Sequence, residues 1–193
     1  MMEALGQQIK TDARYLGNGI IKVDSFLNHR IDTVLMTQIG QEFARQLVGR
    51  GATGITKVVT AETSGIAPAL TTAQALGVPF VYARKKRPTT LLGECYQSDA
   101  RSHTKGDRVT LRISSEFLSS LDRVVLIDDF LGFGETTEAM LDIIEQSAAT
   151  LCGIGYVLEK VYEYGRQKLA HLDIPVIALA RIDIRNEQII VLE

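Results

Sequence analysis

Apolar residues change their spacing repeatedly along this chain. From Glu3 to Asp12 they recur at helical intervals, Ile20 to Val23 forms a short apolar run, and Thr33 to Val48 returns to helical spacing. Gly49 and Gly51 stop that helix. Ile55 to Thr60 then reads as a buried strand, Ile66 to Leu76 as a helix closed by Gly77, and Phe80 to Ala83 as another strand. A second unit of the same kind follows: strand from Arg123 to Ile127, helix from Thr136 to Gln146, strand from Gly153 to Leu158. Gly165 to His171 has helical spacing, Val176 to Ile182 reads as a last core strand, and Arg185 to Glu193 as a β-rich tail. Most of the strands are apolar on both faces. This alternation predicts an α/β fold, a twisted and mainly parallel sheet flanked by helices with right-handed crossovers.

No repeat, low-complexity tract or proline-rich linker divides the chain, so one domain over 1–193 is expected. Arg84 to Arg108 breaks the pattern, because it holds few apolar residues and is long for a simple connection. With the N-terminal segment it is expected to form a small hood, in which Leu91 to Tyr96 has the pattern of one arm of a hairpin and Val109 to Ile113 that of a following strand.

Charge and cysteine content narrow the function classes. The 193 residues carry 21 Lys and Arg against 23 Asp and Glu, a formal charge of −2, with no strongly basic half. That excludes a protein built mainly to neutralise nucleic-acid phosphates or an anionic membrane. Cys95 and Cys152 stand alone, and His29, His103 and His171 show no ligand spacing, so no protein-held metal or disulfide framework is expected. Cys152 reads as strand filler and Cys95 as a loop residue. With neither a secretory leader nor an apolar run of the ~18 residues a span needs, a cytoplasmic location is expected.

In an open parallel sheet, ligands bind beyond the carboxyl ends of the strands. Three loops there carry chemistry. In VVLIDDFLGFGETT, Asp128 and Asp129 close an apolar strand, and a chain turn at this point is expected to bring both to one ligand. Gly132 and Gly134 permit close backbone approach to an anion, and Thr136 and Thr137 add hydroxyls at a helix start. A sugar phosphate, a diol at one end and a phosphate at the other, satisfies that set. The competing reading is a solvated Asp-Asp turn with Thr136 as an N-cap. Glu62-Thr63-Ser64-Gly65 is either a plain helix start, with Thr63 or Ser64 as cap, or a second anion cradle. Arg84-Lys85-Lys86-Arg87, at the root of the hood, is either a solvated face or a phosphate clamp.

The order of VVLIDDFLGFGETT, with ETSGIAPA before it and LEKVYEYGR after it, resembles the type I phosphoribosyltransferase family from about Met2 to about Leu179. IIKVDSFLNH and VYARKK resemble its xanthine-using bacterial branch. The resemblance implies transfer of the 5-phosphoribosyl group of 5-phosphoribosyl 1-pyrophosphate (PRPP) to xanthine, giving xanthosine 5′-monophosphate and pyrophosphate in purine salvage. It implies Mg²⁺ carried on PRPP, and a homodimer. Asp128 and Asp129 correspond to the acidic pair on the ribose, and Gly132, Phe133, Gly134, Glu135 and Thr136, with Thr137 adjoining, to the phosphate loop. The pyrophosphate side falls on Glu62, Thr63, Ser64, Gly65, Arg84 and Lys85, and the base on Ile21, Asn28 and Lys160. Phe133 departs from the small or hydroxylated residue common at its position and offers no side-chain hydrogen bond. Taken without the resemblance, Lys160 reads as an exposed partner of an acidic neighbour, Asn28 as a turn former and Ile21 as a core residue. Guanine or hypoxanthine as the base, and a PRPP-sensing regulator of the same fold, remain as alternatives.

Overall fold

The computed structural model describes residues 2–87, 89, 93–101 and 108–192. In chain order the elements are α1 (Glu3–Asp12), β1 (Arg14–Tyr15), β2 (Ile21–Lys22), a π-type turn at Asp24–Asn28, α2 (Thr33–Gly49), β3 (Lys57–Ala61), α3 (Ile66–Leu76) and β4 (Phe80–Ala83). Then come β5 (Cys95–Arg101), β6 (Arg108–Ser114), β7 (Arg123–Leu131), α4 (Glu135–Gln146), β8 (Thr150–Lys160), a 3-10 turn at Val161–Glu163, α5 (Gly165–Lys168), β9 (Val176–Arg185) and β10 (Gln188–Leu192). Local chemistry sets several of these bounds. Asp32 accepts from the N–H groups of Val34 and Leu35 at 3.1 and 3.0 Å and so starts α2, while Gly77 at φ 69° ends α3.

The central sheet has the order β10-β9-β8-β7-β3-β4. All its neighbours are parallel except the antiparallel pair β9 and β10. Period-two alternation divides the strand side chains between two cores. Val58, Val125 and Ile127 pack with α1, α2 and α3 on one face, and Val59, Val124 and Leu126 pack with α4 on the other. Each buried aliphatic side chain of this kind stabilises the fold by about 1.5–3 kcal/mol. The sheet is therefore covered on both faces, as the apolar strands predict. Among the described residues no helix is long and apolar enough to cross a membrane.

Several expectations need correction. The strand expected from Ile20 to Val23 is the two-residue β2, paired with an unanticipated β1. β3 begins at Lys57 rather than Ile55, and α5 ends at Lys168 because residues 169–171 leave the helix. Within the break after Arg84, β6 bears out the strand expected at Val109 to Ile113, and with β5 it forms a seven-pair antiparallel ribbon from Cys95↔Ser114 to Arg101↔Arg108. Cys95 is thus a strand residue rather than a loop residue. The ribbon packs on α4, where Gln146 bonds both backbone groups of Gln97, and it joins the sheet edge through the Arg84↔Arg112 bridge. Leu91, Leu92 and the stretch 102–107 of the expected hood lie outside the described residues.

Candidate active site

Strand β7 does not turn at its acidic pair, as expected, but runs on to Leu131, with Asp128 opposite Tyr156 and Phe130 opposite Leu158. Strand alternation therefore sends the two carboxylates to opposite sides of β7. Both still border one cleft of about 280 Å³, because it opens over the carboxyl end of the sheet where β7 emerges. Glu62, Thr63 and Ser64 line it from the β3–α3 loop, Lys85 from the end of β4, and Thr136 from the first turn of α4. The end of the ribbon where Ala100 pairs with Val109, with Leu111 next along that face of β6, supplies an apolar wall.

Asp128 is buried, and its Oδ1 accepts the Asp129 N–H at 3.0 Å. Burial, with the neighbouring Asp129 charge adding to it, pushes the Asp128 carboxyl well above its ordinary pKa. Burial also raises Asp129, partly offset by hydrogen bonds from Asp128 and the Phe130 N–H and by the Asn28 amide. A ligand that donates hydroxyl hydrogens to these two carboxyls would stabilise their charged form. Gly65 lies directly beneath, where a Cβ would sit 2.6 Å from Asp128 Oδ1, so only glycine fits there. It is also the cap residue of α3, with no side-chain cap bond, so neither Thr63 nor Ser64 has that role.

Two helix N-termini, those of α3 and α4, begin in loops that border this cleft. Gly134, at φ 87°, is the cap of α4, which corrects the alternative that gave this place to Thr136. Lys168 bonds Glu138 at 2.7 Å and lies 3.9 Å from Glu135, offsetting the acidic first turn that would oppose an anion. Gly132, Phe133 and Gly134 form the turn between β7 and α4, Glu135 opens the helix, and Phe133 is 40% exposed.

Thr137 differs from the expected second hydroxyl donor. It is buried, and its hydroxyl bonds the Tyr156 hydroxyl at 2.7 Å. Arg84 also stands apart from the cleft lining, held over the Tyr82 ring at 5.3 Å and bonded to the Tyr82 hydroxyl at 2.8 Å. The main chain of Lys85, by contrast, is fixed by its N–H bond to Glu62 at 2.7 Å.

At the other end, Asn28 closes the π-type turn and reaches Asp129, which brings the N-terminal segment to the acidic pair. Lys160 ends β8. Its ammonium donates to Glu163 at 3.0 Å and to the Gly19 carbonyl at 3.2 Å, and lies 5.5 Å from the Phe130 ring centre. It is largely buried rather than an exposed ion pair, at 18% side-chain exposure. Ile21 is packed into the core, 8% exposed, as its periodicity indicates. Sequence patterns missed Phe130, Tyr156, Glu163 and Arg166. The one available signal was the glycine of YGR, a residue whose packing purpose no pattern could locate.

The sequence matches the family described as "Phosphoribosyl transferase domain" over residues 31–186. It is 49% identical over 181 residues to the xanthine phosphoribosyltransferase of Deinococcus deserti, covering 94% of this chain and 92% of that protein. It is 45% identical to the xanthine phosphoribosyltransferase of Moorella thermoacetica, covering 94% of this chain and 91% of that one. Among solved structures, adenine phosphoribosyltransferase from Saccharomyces cerevisiae, complexed with an imino-altritol bisphosphate and adenine, superposes with a TM-score of 0.73 at 25% identity, covering 92% of this chain and 99% of that one.

Proposed function

The chain belongs to the phosphoribosyl transferase family, and we propose that it moves the 5-phosphoribosyl group of PRPP onto xanthine, giving xanthosine 5′-monophosphate and pyrophosphate in purine salvage. The observation that carries the reading is the adjacent acid pair, buried Asp128 and half-buried Asp129, in a cleft bordered by two helix starts, with the Asn28 amide reaching Asp129.

In this reading Asp128 and Asp129 accept hydrogen bonds from the ribose hydroxyls, and the turn from Gly132 to Thr136 holds the 5′-phosphate with its backbone N–H groups. Glu62 to Gly65 and Lys85 face the pyrophosphate; Arg84 would have to leave Tyr82 to join them. The bond from the anomeric carbon to pyrophosphate loosens before the base nitrogen arrives, so the ribose becomes cationic and the leaving group gains charge. Carboxylates beside the one and donors around the other favour that distribution over the ground state. The ribbon whose Ala100–Val109 end walls the cleft excludes water, which would otherwise capture the cationic sugar.

No three His, Cys, Asp or Glu side chains gather to hold a metal among the described residues. Mg²⁺ would arrive on PRPP with the donor's own oxygens and water, and Asp128 and Asp129 are the residues that would face it. When bound it would offset the charge developing on pyrophosphate. Xanthine is a comparatively acidic purine, and the Lys160 ammonium would favour its carbonyl oxygens over the donor amine of adenine. A cytoplasmic homodimer completes the reading.

The test is pyrophosphate release from PRPP and Mg²⁺ with xanthine, guanine, hypoxanthine, adenine and orotate supplied singly. Strong preference for xanthine supports the whole reading. Preference for guanine or hypoxanthine keeps the reaction and overturns the base assignment. PRPP binding without turnover of any base makes the protein a sensor instead.

A further inference from the structure

We propose that Gly165 and Arg166 are positioning residues that brace the 5′-phosphate turn from behind, a role that rests on the phosphoribosyl-transfer reading above. After β8 the chain doubles back through Val161–Glu163 and Tyr164, and Gly165 arrives against Gly132, 33 positions earlier in the sequence. The Gly165 N–H donates to the Gly132 carbonyl at 3.0 Å. A Cβ at Gly165 would collide with that same carbonyl oxygen and come within 3.0 Å of Leu131 Cδ1. Only glycine allows this contact. Its electrostatic effect is specific: a carbonyl oxygen left free in an anion-binding turn repels the anion, and this one is tied down by a donor from outside the turn.

Arg166 fixes where Gly165 sits. Its guanidinium grips Glu159 with two bonds, Nε at 2.7 Å and Nη2 at 2.6 Å, and its Nη1 donates to the Val176 carbonyl at 3.1 Å. Glu159 is 3% exposed, pairs in register with Leu131 of β7, and lies 3.5 Å from Arg181 of β9. The fork therefore reads its orientation from the sheet and passes it to the turn. A bidentate guanidinium–carboxylate pair fixes direction as well as distance, which a lysine in its place does not. Because Glu159 adjoins Lys160, the same anchor also fixes the end of β8 that carries Lys160.

The experiment measures binding of ribose 5-phosphate, of Mg²⁺-pyrophosphate, and thermal stability for wild type, Arg166→Lys, Arg166→Met and Gly165→Ala. Misplacement of a cradle by a fraction of an ångström to an ångström predicts that Arg166→Lys weakens ribose 5-phosphate binding by about ten- to a hundredfold, with pyrophosphate affinity held within about twofold. Gly165→Ala changes in the same direction; should it or Arg166→Met fail to fold, Arg166→Lys alone decides. Unchanged ribose 5-phosphate affinity in a folded Arg166→Lys overturns the brace. So does a parallel loss of both ligands together with stability, since a merely structural pair would act that way. A wild type that binds no ribose 5-phosphate overturns the phosphoribosyl reading itself and the brace with it.

Discussion

Replacing Thr137 by valine removes one hydroxyl from a buried pair while keeping the shape of the side chain. Thr137 and Tyr156 are 3% and 0% exposed, and their hydroxyls lie 2.7 Å apart. Burial holds the Tyr156 hydroxyl well above its usual pKa, so it remains a neutral phenol and needs a partner. Losing Thr137 Oγ1 leaves that phenol buried and unsatisfied, at a cost of about 1–3 kcal/mol, whereas removing both hydroxyls with shape kept comes close to neutral. Tyr156→Phe should cost a similar amount, and the double variant should recover about 1 kcal/mol or more relative to the sum. Each kcal/mol lowers Tm by roughly 2–4 °C in a chain of this size. The assay is denaturant and thermal unfolding of the four proteins at one protein concentration, since assembly shifts apparent stability. Ribose 5-phosphate affinity is measured alongside. Thr137→Val should leave that affinity almost unchanged, while Thr136→Val, which removes a hydroxyl bordering the cleft, should weaken it by about ten- to a hundredfold, the worth of a hydrogen bond to a charged group. Single costs that add to within about 0.5 kcal/mol would refute the pairing. A larger loss of ligand affinity at Thr137 than at Thr136 would refute the division of labour.

Asp128→Asn should abolish most turnover yet stabilise the fold in a pH-dependent way. The folded-state pKa of Asp128 is raised, so stability is intact below the ordinary value of 3.8 and falls as pH climbs through the raised one; the variant escapes this loss, and its Tm advantage should grow with pH. A Tm difference independent of pH would contradict it. Lys160→Met should raise the KM for xanthine strongly and that for PRPP little, read from initial rates; equal increases would mean that the lysine serves the fold through Gly19 and Glu163 rather than the base. Gly65→Ala places a methyl against Thr60 Oγ1 and Asp128 Oδ1, and should destabilise by about 1–3 kcal/mol while displacing the carboxylate that turnover needs. Wild-type kinetics in that variant would remove Asp128 from the reaction.

The alternating units were legible because their signal is local. Strands such as Val124 to Ile127 carry apolar residues to both faces, and Gly77 marks a helix end by its own backbone freedom. The continuation of β7 through Asp128 and Asp129 was not legible. Ladder bonds are made by the backbone, and nothing in two carboxylates announces that a strand persists through them. The ribbon was legible in part: Val109 to Ile113 carried a strand pattern that β6 bears out, whereas in β5 Gln97 and Asp99 are exposed, so little of its pattern is apolar. At the site, the acid pair and the glycine turn stood out by composition. The pairing of Thr137 with Tyr156, of Lys160 with Gly19, and of Gly165 with Gly132 depends on contacts across the fold that leave no periodic trace.

The hold of Lys160 on the Gly19 carbonyl joins residues 141 positions apart, and the Met2 N–H bonds the still later Leu179 carbonyl. On the ribosome, where earlier residues emerge first, α1 can meet the Asp24–Asn28 turn and α2 early, but its packing on β9 and β10 waits until the last strands have been synthesised. Leu5, Ile9, Phe26 and Leu27, all buried in the finished molecule, thus lack part of their cover through most of translation. The contact between the N-terminal segment and the end of β8 is therefore among the last to be built during biosynthesis, and the interval before it forms is when that apolar surface is most open to aggregation.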